Sequence, residues 1–585
     1  MKFLLVALNA KYIHSNPAIY SLRRYAGEMA RYVELAEYTI NNRVEEILED
    51  IYDRKPKVIG FSCYIWNREM ILELITELHK LLPELPIWLG GPEASLDAER
   101  ILEKYPSVTG IMAGEGEETF AELLSYYVTG KGNLQRIAGL VLRDGATARR
   151  ELLSLTEIPF LYEDTADFEN RIIYYESQRG CPFSCSYCLS SIDKKVRFRD
   201  IGVVKQELQF FLEKRVKQVK FVDRTFNCNH AHAAEIWRYI KEHDNGVTNF
   251  HFEVAGDILN DEEIALLNSM RAGLVQLEIG VQSANVQTLA EIRRVTDMEK
   301  LKAAVAQIRQ GGRVHQHLDL IAGLPFEDYE SFGRSFDAVY AMQPNQLQLG
   351  FLKVLKGSYL YEKAKDYGLA YTDKPPYEVL YSRWISYEEI RRLKKIEQMV
   401  ELYYNSNQFT HILSTLQKSF QSPFAMYEAL ADYYAEKGFF TETPSRLYRY
   451  EILLSFAQVH GRGEKALYRE LLVFDFYLRE KAKSRPDFAG GQDAYKKEIT
   501  AFYKREETER RYLPEYGAYD SRQLERMTHL EQFHYSVWEN EPERREACYV
   551  LFDYQKRSPL TYEAAATVIL KNEFMTDVTE KETVS

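Results

Sequence analysis

The chain has 585 residues, 45% of them hydrophobic and 28% charged, with a formal net charge of −12. That length exceeds what one hydrophobic core can serve and suggests about four domains. The negative balance argues against a surface that tracks nucleic-acid phosphates, so nucleic acid is disfavoured as a partner. No apolar run is long enough to cross a bilayer, and six cysteines in so long a chain make no disulfide framework. Both point to a reducing cytoplasm with no membrane partner.

After Lys2, the run Phe3–Leu8 is too short for a secretory segment and reads as a buried first strand. Further strands are predicted at Val33–Tyr38, Val58–Tyr64, Ile87–Gly91 and Gly110–Gly114. Ile71, Leu74, Ile75, Leu78 and Leu82 mark a helix between two of them. Residues 1–135 therefore read as a doubly wound α/β domain, Rossmann- or flavodoxin-like, with a mostly parallel sheet. Such sheets take ligands at the carboxyl ends of their strands. Here those ends are Asn9-Ala-Lys-Tyr12, Ser62-Cys-Tyr-Ile-Trp66, Gly90-Gly-Pro-Glu-Ala-Ser95 and Gly114-Glu-Gly-Glu117.

Residues 136–167, with a β-like stretch at Ala138–Gly145, read as a linker. A second α/β series then begins, with strands predicted at Arg171–Tyr175, Val219–Asp223, Phe250–Ala255, Val275–Val281, His317–Ala322 and Gln346–Leu352. Six strand–helix units over residues 168–370 make a partial TIM-like (β/α)6 barrel, whose chemistry belongs at the carboxyl ends of its strands. Directly after the first of them stands Cys181-Pro-Phe-Ser-Cys185-Ser-Tyr187-Cys188. Thiols converging on one loop point to a soft metal centre. Three ligands would leave one iron of a four-iron cluster open. A zinc site would want a fourth ligand nearby, and the next histidine is His230.

Tyr175-Glu-Ser-Gln-Arg-Gly-Cys-Pro-Phe-Ser-Cys-Ser-Tyr-Cys188 resembles the signature loop of radical S-adenosylmethionine (SAM) enzymes. The resemblance implies a [4Fe–4S] cluster on Cys181, Cys185 and Cys188, with SAM chelating the fourth iron. It also implies reductive cleavage to a 5′-deoxyadenosyl radical and an electron donor such as flavodoxin or ferredoxin. SAM contacts are then expected from Tyr187, from Asp223 and Glu253 on the second and third strands, and from Gln282 in Glu278-Ile-Gly-Val-Gln-Ser283. Ionised carboxylates inside a barrel are costly unless paired; the alternative for them is a structural pair with Arg179 or Arg224. Cys228, just past the second strand, is a candidate reactive thiol, set against the blander reading of a small apolar filler.

The N-terminal loops resemble those of the cobalamin-binding domain fused to many radical SAM enzymes. Ser62, Gly90, Gly91, Glu115 and Gly116 are the implied cobalamin contacts. Lys11 stands where related domains carry a cobalt-ligating histidine, and His14 comes three residues too late, so a cobalt without a protein histidine is expected.

Tyr371-Thr-Asp-Lys-Pro-Pro-Tyr377 reads as the end of the barrel, and residues 371–585 as a mostly helical domain. Its many tyrosines read as aromatic packing and not as redox relays. The family resemblance implies a cobalamin-dependent methyltransferase acting on an unactivated carbon of a small-molecule or peptide substrate, with the helical domain closing over it. Two alternatives stay open: a radical SAM oxidoreductase, cyclase or rearranging enzyme without methyl transfer, and a non-enzymatic metal or cobalamin sensor.

Overall fold

The computed structural model describes residues 2–164, 168–192, 194–571 and 574. Two compact units divide the chain: Met1–Tyr329 with Gly350–Ile390, and Glu330–Leu349 with Arg391–Ser585. Among the described residues no helix is long and apolar enough to cross a membrane.

The first unit opens with a sheet whose strands run in the order Val33–Thr39, Phe3–Asn9, Val58–Ser62, Ile87–Gly90, Val108–Met112, all parallel. Leu140–Leu142 and Gly145–Ala146 add two antiparallel strands at its edge. The first strand explains why both faces are apolar. Leu4, Val6 and Leu8 pack with Ile71, Leu74, Ile75 and Leu78 on one side. Phe3, Leu5 and Ala7 pack with Trp88 and Phe120 on the other. Strand order reverses between Phe3–Asn9 and Val58–Ser62, the switch point beside which open sheets take ligands.

The second sheet of this unit runs Ile173–Tyr175, Gln218–Phe221, Asn249–Val254, Val275–Gln282, His315–Ala322, parallel throughout. Along Val275–Gln282 burial alternates strictly: Val275, Leu277, Ile279 and Val281 face the helices, while Gln276, Glu278, Gly280 and Gln282 face the open side. That open side is polar across strands, because Glu253, Glu278 and His317 share one row of the register.

Behind the second strand lies an aromatic cluster. Helix His230–Glu242, capped by Asn229, sets Ala233, Ile236, Trp237 and Ile240 on the sheet. Trp237 meets Phe226 with ring centroids 5.2 Å apart, and Phe226 meets Phe252 at 4.3 Å. All three are fully buried.

In the second unit, helices such as Arg446–His460 and Lys465–Arg479 dominate. An antiparallel sheet of Thr528–Tyr535, Arg545–Arg557 and Ala564–Leu570 joins them, which the sequence reading did not resolve. Tyr403, Tyr427, Tyr434, Tyr450, Tyr468 and Tyr549 are among its largest fully buried side chains. Some hydroxyls are paired inside the core: Tyr403 with Tyr434 at 2.5 Å, and Tyr495 donating to the buried Glu531.

Removing the indole behind the second core strand should be costly. Trp237→Ala is expected to destabilise the fold by about 3–5 kcal/mol, read as a lowered denaturant midpoint of the full chain. A midpoint within error of the parent would contradict the packing described.

Candidate active site

The cysteine loop hangs from one buried carboxylate. Asp223, at the end of the second core strand and 0% exposed, accepts from the backbone N–H groups of Ser177 (2.9 Å) and Gln178 (3.1 Å) and from the Ser177 hydroxyl (2.5 Å). Burial pushes its carboxyl up to about 8, against the pull of those donors. The Gln178 amide adds a bond to the Thr225 carbonyl at 2.8 Å. Further on, Ser186 N–H donates to the Ile292 carbonyl and Leu360 N–H to the Ser186 carbonyl. The loop is therefore tied at both ends, with Cys181 and Cys185 buried and Cys188 half-buried, all three as free thiols.

A single ion would need donors drawn close together. Among the described residues, the group that closes to within 4.8 Å is Glu278, His317 and Asp319; the three thiols form no such group. An all-sulfur donor set that does not converge on one point suits a cluster better than a lone tetrahedral ion.

Beside the loop, at the carboxyl ends of the core strands, lies a cavity of about 140 Å³. Phe183 of the cysteine loop, Arg224, Glu253, Gln282, Arg294 and Asp319 line it. Its charges are arranged in two groups. Burial pushes Glu253 up to about 7, opposed by Arg224 and reinforced by Glu278. Asp319 is also raised by burial, although His317 stands 3.1 Å away and pulls it down. Opposite in sign, Arg294 donates to the Gly280 carbonyl and lies 3.9 Å from the Cys185 sulfur. Its Nε and the Gln282 Oε1 are buried without a hydrogen-bond partner. Beneath them, burial would raise Glu278, but His251 (3.0 Å) and Lys220 (3.1 Å) hold it down to about 2.

A break in the ladder aims Gln282. The register shifts between Gly280 and Gln282, and Gln282 has φ +74°, a strained conformation for a non-glycine residue. Its amide folds back over Gly280, where a Cβ would lie 2.3 Å from Nε2, so a larger residue there would displace the amide.

A second cavity, of about 940 Å³, opens at the carboxyl ends of the N-terminal strands. Ser62, Gly90, Gly91, Glu115 and Gly116 all line it, and so do Tyr174, Gln178, Arg179 and Gly180 of the core. Arg224 lines both cavities. The acids of the two glycine-bearing loops already have partners within the unit. Glu93 accepts from Tyr377 at 2.7 Å and from Arg68, and Asp97 pairs with Lys356 at 2.7 Å. Glu115 pairs with Arg197 (2.5 Å) and Arg179 (3.1 Å) and accepts from Leu153 N–H. Burial pushes Glu115 up, but those cations outweigh it and hold the carboxyl below its ordinary range.

Of the expected SAM contacts, Glu253 and Gln282 line the small cavity, whereas Asp223 and Tyr187 do not. Asp223 faces the loop backbone, and Arg179 pairs with Glu115, Glu117 and Glu176. Tyr187 has its phenol raised by burial beside Arg294 and Cys185. Cys228 is half-buried, with its sulfur 3.7 Å from Gln178 Oε1 and its thiol raised by burial. His14 bonds through Nδ1 to the Tyr174 hydroxyl at 2.6 Å and is outside the large cavity's lining. Arg294 and the Lys220–His251–Glu278 network are not found by sequence reasoning. Arg294 carries no motif of its own, and the network exists only once neighbouring strands are in register.

Three family profiles match successive parts of the chain: "B12 binding domain" over residues 4–124, "Radical SAM superfamily" over 175–339 and "Protein of unknown function (DUF4080)" over 365–552. The chain is a radical SAM protein with an N-terminal B12-binding domain and a C-terminal DUF4080 region. It is 24% identical over 374 residues to the cobalamin-dependent radical SAM methyltransferase TokK of Streptomyces tokunonensis, covering 57% of this chain and 52% of TokK. It is 23% identical over 321 residues to the anaerobic magnesium-protoporphyrin IX monomethyl ester cyclase of Rubrivivax gelatinosus, covering 52% and 57%. The chain thus spans about half the length of the curated relatives it matches. Among solved structures, the cobalamin-dependent SAM radical enzyme OxsB with aqua-cobalamin aligns at TM-score 0.56 and 15% identity, over 81% of this chain and 78% of OxsB. The likeness bears on the fold.

A [4Fe–4S] cluster, SAM and cobalamin are the cofactors expected of this radical SAM enzyme, and the chemistry requires a reductant. The site fits them. Three thiols are available for iron, the residues lining the small cavity carry buried donor and acceptor atoms without a partner, and the large cavity is wide and mostly apolar, with Ser62, Gly90, Gly91 and Gly116 in its wall.

The two glutamates predict opposite pH effects in the cofactor-free chain. Folded Glu253 titrates near about 7, above its ordinary 4.5, so its contribution is fully present below about 4.5 and is lost as pH rises through about 7. Folded Glu278 titrates near about 2, so its contribution is present above about 4.5 and is lost as pH falls towards 2. Glu253→Gln should therefore flatten the decline of the unfolding midpoint between about pH 5 and 8. A variant whose profile runs parallel to the parent's over that range would show that this carboxyl is not held as described.

Proposed function

We propose that the protein methylates an unactivated carbon of a small-molecule or peptide substrate, with cobalamin in the large cavity and SAM in the small one. The observation that carries this reading is Arg224, one side chain lining both cavities. Two cofactors placed in them would be close enough to act on one substrate. When bound, the cluster with SAM supplies a 5′-deoxyadenosyl radical that removes a hydrogen atom, and cobalamin supplies a methyl group.

The chain's own residues do the positioning. Cys181, Cys185 and Cys188 would hold three irons. Arg294 and Gln282 line the small cavity together with Glu253 and Asp319. A lining that offers both a cation and carboxyls matches an amino acid end group, with its carboxylate on Arg294 and its ammonium between Glu253 and Asp319. Arrival of an ammonium would favour the ionised form of Glu253, which burial otherwise resists. Asp223 would act as a positioning residue for the cysteine loop. Ser62, Gly90, Gly91, Glu115 and Gly116 would line the corrin pocket, with no histidine on cobalt, since His14 is engaged with Tyr174. A flavodoxin or ferredoxin would supply the electron, in a reducing cytoplasm suited to six free cysteines.

Relatives support a second reading. Several curated matches are named as magnesium-protoporphyrin ester cyclases, among them those of Rubrivivax gelatinosus and Cereibacter sphaeroides. A cyclase or other rearranging activity would use the same small cavity without methyl transfer.

The two separate in one assay. The anaerobically loaded, reduced protein should release 5′-deoxyadenosine from SAM, with S-adenosylhomocysteine alongside it. Deoxyadenosine without S-adenosylhomocysteine would favour the second reading. The triple variant Cys181→Ala, Cys185→Ala, Cys188→Ala should form neither product, and SAM cleavage by that variant would overturn both.

A further inference from the structure

Where the cysteine loop begins, one arginine joins it to the loop that closes the large cavity. Arg179 stands 3.1 Å from Glu115, 3.0 Å from Glu117 and 2.7 Å from Glu176. Arg197 lies opposite Arg179 in a two-residue antiparallel ladder and shares Glu115 with it. Glu115, Gly116 and Glu117 line the large cavity on one side of these bonds, and Arg179 and Gly180 line it on the other. Both partners of the ion pairs therefore lie in the wall of that cavity.

The path onward from Arg179 is short. Only Gly180 separates it from Cys181; Gly180 adopts φ +96°, a conformation that side-chain-bearing residues rarely take, and a Cβ there would lie 2.6 Å from the Lys195 carbonyl oxygen. The backbone at this point thus runs close against the neighbouring Lys195 segment. On the upstream side, Ser177 and Gln178 are bonded to Asp223. The guanidinium with its three carboxylates is therefore the link between the cavity wall and the start of the cysteine loop.

We infer that Arg179 is a positioning residue through which a corrin in the large cavity sets the geometry and field of the cysteine loop. This rests on the reading that the large cavity takes cobalamin. An arginine suits the task because its planar fork can hold several carboxylates at once, which a lysine ammonium does as a single point. The cluster senses it as a fixed positive charge two residues from a sulfur ligand. Polar groups and net charge near the sulfurs tune such clusters.

The test uses the full-length, cluster-loaded chain and methylcobalamin, which is diamagnetic and resists dithionite. The electron paramagnetic resonance spectrum of the reduced cluster is recorded with and without it. In the parent protein, methylcobalamin should shift the g-values. Arg179→Gln should retain about four irons and bind methylcobalamin, seen by its absorption after desalting, yet show no shift. Arg179→Lys should restore part of it. Should Arg179→Gln fold poorly, the double variant Glu115→Gln, Glu117→Gln cuts the same bonds from the other side and should lose the shift likewise. A full shift in these variants, or bound methylcobalamin with an unmoved spectrum in the parent, would overturn the inference while leaving the proposed function standing. A parent chain that binds no corrin would overturn both.

Discussion

Everything at the candidate active site depends on how one loop is held. Ser177 and Gln178 hang from the buried carboxylate of Asp223, and that places Cys181 at the open end of the second sheet, not out in solvent. Burying a carboxyl costs several kcal/mol unless donors meet it, and here two backbone N–H groups and a hydroxyl do so. Behind Asp223 the fully buried rings of Phe226, Trp237 and Phe252 keep the strand end from moving. The soft ligands are thus presented by a rigid scaffold, as a cluster site needs.

The two cavities follow from the two sheets. Each lies where parallel strands end and turn into loops, the usual place for a ligand in such folds. Their linings differ in kind. Apolar side chains together with the glycine-bearing loops bound the large one, while charged side chains of both signs bound the small one. The acids of the N-terminal glycine loops are engaged by Tyr377, Lys356, Arg179 and Arg197. Those loops consequently do two things at once: their backbone faces the cavity and their carboxylates face the core.

Much of this was legible in the sequence, for physical reasons. Strands buried on both faces are continuous apolar runs, so Phe3–Asn9 and its parallel neighbours were found within a residue or two. Cysteines at C-x3-C-x2-C spacing announce themselves because thiols seldom cluster without a ligand. Side chains that act through tertiary contact were not legible. Arg294 reaches the cavity only because Arg293, at φ +57°, turns the chain back toward Gly280. Asp223 was recognisable as an acid at a strand end, but which donors it meets depends on the turn after Tyr175. The strand Thr528–Tyr535 escaped notice because its apolar residues do not alternate: Leu530 falls on the opposite parity from Phe533 and Tyr535, and the register shifts between Phe533 and Tyr535.

The central proposal is that corrin and SAM occupy adjoining cavities that share the Arg224 wall, with the cluster on the cysteine loop beside the smaller one. Pulsed electron paramagnetic resonance on the protein loaded with corrin and cluster, with cobalt as Co(II) and the cluster reduced, tests it most directly. The structure predicts a resolved spin–spin interaction, or relaxation of one centre enhanced by the other. A spectrum that is the plain sum of two independent centres would contradict it.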